Sequence, residues 1–95
     1  MAQNTRIDCP AGQWTLLTNS NVTAITFQLA PNAKNAVLIA GTAGATPPAN
    51  NETGIWYYPG EGEYSLALAD AFPGVAANRV YVYALSTTYV MVSHA

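Results

Sequence analysis

The chain has 95 residues, with three cations (Arg6, Lys34, Arg79) against five anions (Asp8, Glu52, Glu61, Glu63, Asp70), too few positive charges to neutralise a run of phosphates, so direct nucleic-acid binding is disfavoured. Charged residues make up 8% and apolar residues 51%, whereas the usual charged share is about 25%. The surface must therefore be built from Ser, Thr, Asn, Gln, Gly, Pro and leftover apolar groups, which leaves it prone to association.

A chain of this mass buries roughly 60–65% of its unfolded surface, enough for one core and no second one. The expected organisation is an N-terminal arm over residues 1–8 and a single β domain over 9–95. The arm is polar and lacks periodicity, so it is expected to be ordered only where something holds it. It also lacks a charged segment followed by an apolar one, so it is not expected to be a secretory signal. The acceptor patterns at Asn21-Val22-Thr23 and Asn51-Glu52-Thr53 then carry no meaning.

Pro10, Ala11 and Gly12 are turn material. Residues 13–18 follow as a short strand, with Trp14 and Leu16 on one face and Leu17 on the other. After the Asn19-Ser20-Asn21 turn, residues 22–29 alternate most clearly, Ile25, Phe27 and Leu29 opposing Ala24, Thr26 and Gln28. Residues 36–40 form a continuous apolar run flanked by breakers, as in a strand buried on both faces. It is far shorter than the roughly 20 residues of a membrane-spanning helix. The Gly-, Ala- and Pro-rich stretch 41–54 reads as a projecting loop and a candidate contact surface.

Residues 55–58 make another strand, and 64–68 are expected to pair back onto it across the acidic turn at Glu61-Gly62-Glu63. Residues 70–74 suggest one helical turn. The last stretch, 79–94, reads as a β-hairpin whose two arms, rich in β-branched and aromatic residues, flank Thr87-Thr88. The fold class is all-β, a small antiparallel β-sandwich or barrel-like domain of seven to eight short strands.

The terminal stretch has a further property. Val80, Val82 and Ala84 point one way and Tyr81, Tyr83 and Leu85 the other, so neither face is polar. A sheet of this kind needs cover on both sides. The domain's second sheet supplies one, and a neighbouring subunit or larger surface is the expected source of the other.

Chemistry-bearing residues are sparse. His94 is the one histidine and Cys9 the one cysteine, so an internal disulfide is excluded and a zinc site is poorly served. A nucleophile built from His94 with Cys9 or Ser93 lacks any oxyanion motif. Glu61 and Glu63, with Asp70 or Glu52, could imitate paired glycosidase carboxylates, but acids in a Gly-rich turn are expected to be solvated. Five scattered acids match no calcium loop. The chain is expected to be non-enzymatic, with no metal or cofactor. The aromatic set Trp14, Trp56, Tyr57, Tyr58, Tyr64, Tyr81, Tyr83 and Tyr89 is expected to fill the core and an interface, with a platform for sugar rings as the alternative.

The runs Trp56-Tyr57-Tyr58-Pro59-Gly60-Glu61-Gly62-Glu63, Leu68-Ala69-Asp70-Ala71-Phe72-Pro73-Gly74, Arg79-Val80-Tyr81-Val82-Tyr83-Ala84 and Val90-Met91-Val92-Ser93-His94-Ala95 resemble small virion proteins of tailed bacteriophages, most of all capsid decoration or cement proteins. The resemblance covers the second half of the chain. It implies a virion structural protein, made in the host cytoplasm, that binds the major capsid protein or another virion protein and forms a dimer or trimer; three scattered cations and the lack of a polybasic or amphipathic helical segment make neither nucleic acid nor membrane an expected partner. With the two-sided apolarity it suggests Trp56, Tyr57, Tyr81 and Tyr83 for subunit contact and Ile7, Pro47 and Pro48 for the capsid lattice. A carbohydrate- or receptor-binding β module, or a tail, neck or fibre component, is the alternative.

Overall fold

The period-two patterning becomes eight strands and one helical turn in a computed structural model, which describes residues 2–50 and 53–94. The elements are β1 (Gln3–Cys9), β2 (Trp14–Leu16), β3 (Ala24–Leu29), β4 (Val37–Thr42), β5 (Ile55–Tyr57), β6 (Gly62–Ala67), α1 (Leu68–Ala71), β7 (Arg79–Ala84) and β8 (Thr88–His94). They form two four-stranded antiparallel sheets in the orders β1-β8-β3-β6 and β2-β7-β4-β5. The protein is a small β-sandwich. Met1, Asn51, Glu52 and Ala95 lie outside the described residues, and with them Glu52 as a carboxylate partner and the acceptor position Asn51.

The core is the layer between the sheets. Ile25, Phe27, Leu29, Val90, Val92 and Cys9 face it from the first sheet, and Val37, Ile39, Val80, Val82 and Ala84 from the second. Burying each branched aliphatic side chain contributes roughly 1.5–3 kcal/mol. Leu68 opens α1 and is fully buried, its amide bonded to the carbonyl of Thr23 at 2.9 Å. The helical turn thus begins at this apolar anchor rather than at Asp70. Burial of Val37, Leu38, Ile39 and Ala40 on both faces of β4 is as expected.

Strand pairing differs from the local reading in three places. The expected hairpin over 79–94 does not form: β7 lies in the second sheet and β8 in the first. Residues 85–87 cross between sheets, held where the Ala11 amide donates to Thr87 Oγ1 at 3.3 Å and Asn35 Nδ2 donates to Ser86. A short polar break suits a turn of either kind, and here the valines of β7 and β8 face each other across the core instead of lying side by side. For the same reason β6 does not pair back onto β5; it adds to β3 in the opposite sheet.

The third correction concerns the N-terminal arm. Residues 3–9 are an edge strand, β1, in continuous register with β8 from Gln3 opposite His94 to Cys9 opposite Thr88. Its polar look has a simple cause: Asn4, Arg6 and Asp8 point to solvent, while Ile7 packs on the core and Cys9 is buried in it. An edge strand is wet on one face and along one edge, so half its residues resemble an arm.

Candidate functional site

Two surfaces concentrate the residues singled out from the sequence. The first is the outer face of the second sheet. Register places Trp14 opposite Tyr83, Tyr83 opposite Leu38, and Leu38 opposite Trp56, a continuous row across all four strands. Leu16, Tyr81 and Ala40 make the next row. Trp14 and Tyr83 meet edge to face with centroids 5.4 Å apart.

This face is apolar, as the alternation of β7 requires, but much of its cover comes from the chain itself. Residues 43–50 and 53–54 of the expected projecting loop fold back toward the sheet. Trp14 Nε1 donates to the Asn50 carbonyl at 3.1 Å, the Gly44 amide donates to Asn78 Oδ1 at 2.7 Å, and Thr42 Oγ1 donates to the Gly44 carbonyl at 2.7 Å. Gly54 has φ +130°, and a Cβ there would lie 2.8 Å from the Ile39 carbonyl oxygen. Only glycine lets the returning loop approach β4 so closely. Leu38, Ala40 and Tyr81 are 3%, 4% and 5% exposed although they point away from the core.

Between this loop and the segment after α1 runs an apolar cleft of about 580 Å³, lined among others by Ala40, Thr46, Pro48, Ala49, Phe72 and Val75. Gly41 is part of it; a Cβ there would collide with the Phe72 ring.

The second surface is a groove of about 490 Å³ on the side of the sandwich where the edges β5 and β6 come together. Tyr57 is part of its lining. Its ring meets Phe27 edge to face at 5.0 Å, and its hydroxyl donates to Glu63 Oε2 at 3.3 Å. Burial first, then the charge of Glu63, pushes the Tyr57 phenol above its ordinary value. Glu61 Oε1 accepts from the Tyr58 amide at 2.8 Å, and Gln28 Nε2 donates to the Gly60 carbonyl at 3.0 Å. Gly62 is required by close approach: a Cβ there would strike the Phe27 carbonyl oxygen and lie 2.7 Å from Gln28 Cα.

Across the groove, β6 carries a bulge. Ile25 pairs with Leu66 and Phe27 with Glu63, so Tyr64 and Ser65 together oppose Thr26. Ser65 takes φ +50° and its amide donates to Thr26 Oγ1 at 2.9 Å. Such a bulge re-aims a side chain, and Tyr64 is left 90% exposed.

The predicted site residues therefore separate. Tyr81 is enclosed by its own chain and Tyr57 packs on the core, so neither offers the exposed ring expected for subunit contact. Trp56 is 45% exposed and Tyr83 half-buried, both on the outer face. Ile7, expected at the capsid lattice, packs inward on the core. Pro47 is exposed and Pro48 half-buried beside the cleft.

Cys9 and His94 do not meet. Their strands are neighbours, but antiparallel register puts them at opposite ends, six residues or about 20 Å apart. His94 is a strand residue whose Nε2 lies 3.3 Å from Gln3 Oε1. Burial, with Asp8's charge adding to it, pushes the Cys9 thiol up to about 12, so it is not an activated nucleophile. Among the described residues, no group of three or more His, Cys, Asp or Glu is placed to hold a metal ion, and no helix is long and apolar enough to cross a membrane.

Gln28 and the special position of Tyr64 are not legible in the sequence, because the bulge depends on pairing with β3. Comparison with protein-family models, curated proteins and solved structures finds no match to this chain. Its function has to be argued from these two surfaces.

Proposed function

We propose that the chain is a non-enzymatic structural module of a virion, a decoration or cement protein that binds an assembled capsid surface and stabilises it. The observation that carries this reading is the apolar cleft beside the folded-back loop, on a molecule whose surface has few charges to oppose contact. Pro47 and Val75 stand exposed at its margin, where an apolar segment of a capsid subunit would bury against them. Binding only one state of a lattice stabilises that state by mass action, multiplied over many copies. Trp56 and Tyr83, still accessible on the outer face, are the remaining candidates for contact between copies.

The test is co-sedimentation of the purified chain with expanded and unexpanded heads of the virion whose genome encodes it. Saturable binding to expanded heads, lost in Val75→Asp without a change in melting temperature, is the expected result. Absence of the chain from purified particles, or binding that Val75→Asp leaves intact, rejects the assignment.

A further inference from the structure

We infer that the groove between β5 and β6 is a binding site for a short neutral saccharide. Nothing in this inference rests on the virion assignment. Among the described residues, the groove lining and the apolar cleft have no residue in common, and Trp56 is the one groove residue that is also a remaining candidate for contact between copies.

Four observations converge on that ligand class. Trp56 and Tyr64 line the groove from opposite sheets, 45% and 90% exposed, and an aromatic face packs well against the C–H face of a pyranose ring. Tyr64 is not exposed by default. It is turned outward by a bulge that holds Ser65 in the left-handed region, a conformation of about 1 kcal/mol or more above the ordinary ones for a non-glycine residue. The groove is also lined by the carboxylates of Glu61 and Glu63 and the carboxamide residue Gln28, and one side-chain atom of each is fixed by the bonds described above. The second carboxylate oxygen of each Glu retains acceptor capacity for a sugar hydroxyl, in charge-assisted bonds of the stronger kind. Finally, no Lys, Arg or His lines the groove among the described residues, so phosphorylated, sulfated or acidic ligands meet only negative charge. The volume lies within the usual range for small-molecule clefts.

The experiment is calorimetric titration of the full chain with maltotriose, cellotriose, mannotriose and tri-N-acetylchitotriose, with tryptophan fluorescence followed in parallel. At least one sugar is expected to bind saturably and independently of salt. Tyr64→Ala weakens that binding roughly tenfold or more, Tyr64→Phe stays within about twofold because the ring is retained, and Glu63→Gln weakens it measurably. The exposed ring makes both Tyr64 variants as stable as the parent chain, so lost binding cannot come from unfolding. Two outcomes overturn the inference: no saturable heat from any of the four sugars at about 50 mM, well past the weak end of specific affinities; or sugar binding unchanged by Tyr64→Ala and Glu63→Gln, which places it elsewhere.

Discussion

The outer faces of the two sheets are built from the same alternating pattern and end up in opposite states. On the first sheet, Asn4, Arg6, Asp8, Thr26, Gln28 and Ser93 face water, and the larger apolar groups are few: Met91, half exposed, and Tyr89 beneath the Arg6 guanidinium at 4.4 Å. On the second, Trp14, Leu16, Leu38, Tyr81, Tyr83 and Trp56 form an apolar sheet surface, and a long loop returns to cover its centre. Two-sided apolarity in a strand therefore states that cover is needed, not who provides it. A small-residue loop joining β4 and β5 can supply it within one chain.

The sharpest way to break this contrast is to truncate one aromatic or apolar side chain on each face. Tyr81→Ala, buried on the second sheet's outer face, is expected to lose about 3 kcal/mol in urea unfolding, as for other large buried side chains. Met91→Ala, on the open face, is expected to lose less than about 1 kcal/mol. Equal losses would mean that Tyr81 is not enclosed.

Side chains from both sheets are buried in the layer between them, and pH tests that. Cys9 stays protonated in the fold up to about 12, whereas its ordinary value is 9.0. The folded state therefore holds a proton that the unfolded chain releases. Stability is fully retained below about 9 and falls by about 1.4 kcal/mol per pH unit as pH rises toward 12. Tyr57, also raised, steepens the fall above its ordinary value of 10.0. Urea melts at several alkaline pH values should show a smaller slope for Cys9→Ala, with Tyr57→Phe accounting for part of the remainder.

A smaller effect isolates the loop. Trp14→Phe keeps a ring against Tyr83 but removes the donor to the Asn50 carbonyl. It is expected to lower stability by about 1 kcal/mol and to speed hydrogen exchange in residues 43–50 ahead of the strands. The smallest effect belongs to the open face. The Arg6–Asp8 ion pair at 3.1 Å is mostly exposed on both sides, so Arg6→Ala should change stability by about 0.5 kcal/mol or less, shrinking further in salt.

These contrasts also show where local pattern is informative. The alternation of Ile25, Phe27 and Leu29 is visible in the sequence and holds in β3, and the apolar run 36–40 predicts a strand buried on both faces. The rule that neighbours in a strand oppose each other separates Trp56 outside from Tyr57 inside. The groove is only half legible: Glu61, Glu63 and the aromatics stand out by type, but read locally they form a solvated turn. Gln28 and the exposed ring of Tyr64 enter it only because β6 joins β3 with a bulge.

Residue alternation and turn chemistry by themselves determined that this chain is all-β, where most of its strands run, and which side chains each strand turns to the same face. Those properties depend on steric preferences within a few residues. The tertiary structure alone decided that β7 and β8 part into different sheets, that residues 3–9 close an edge, and that the chain's own loop returns onto Leu38 and Trp14. Partner choice is a competition among distant segments for the same hydrogen-bonding edges and apolar faces, and no short stretch contains both competitors.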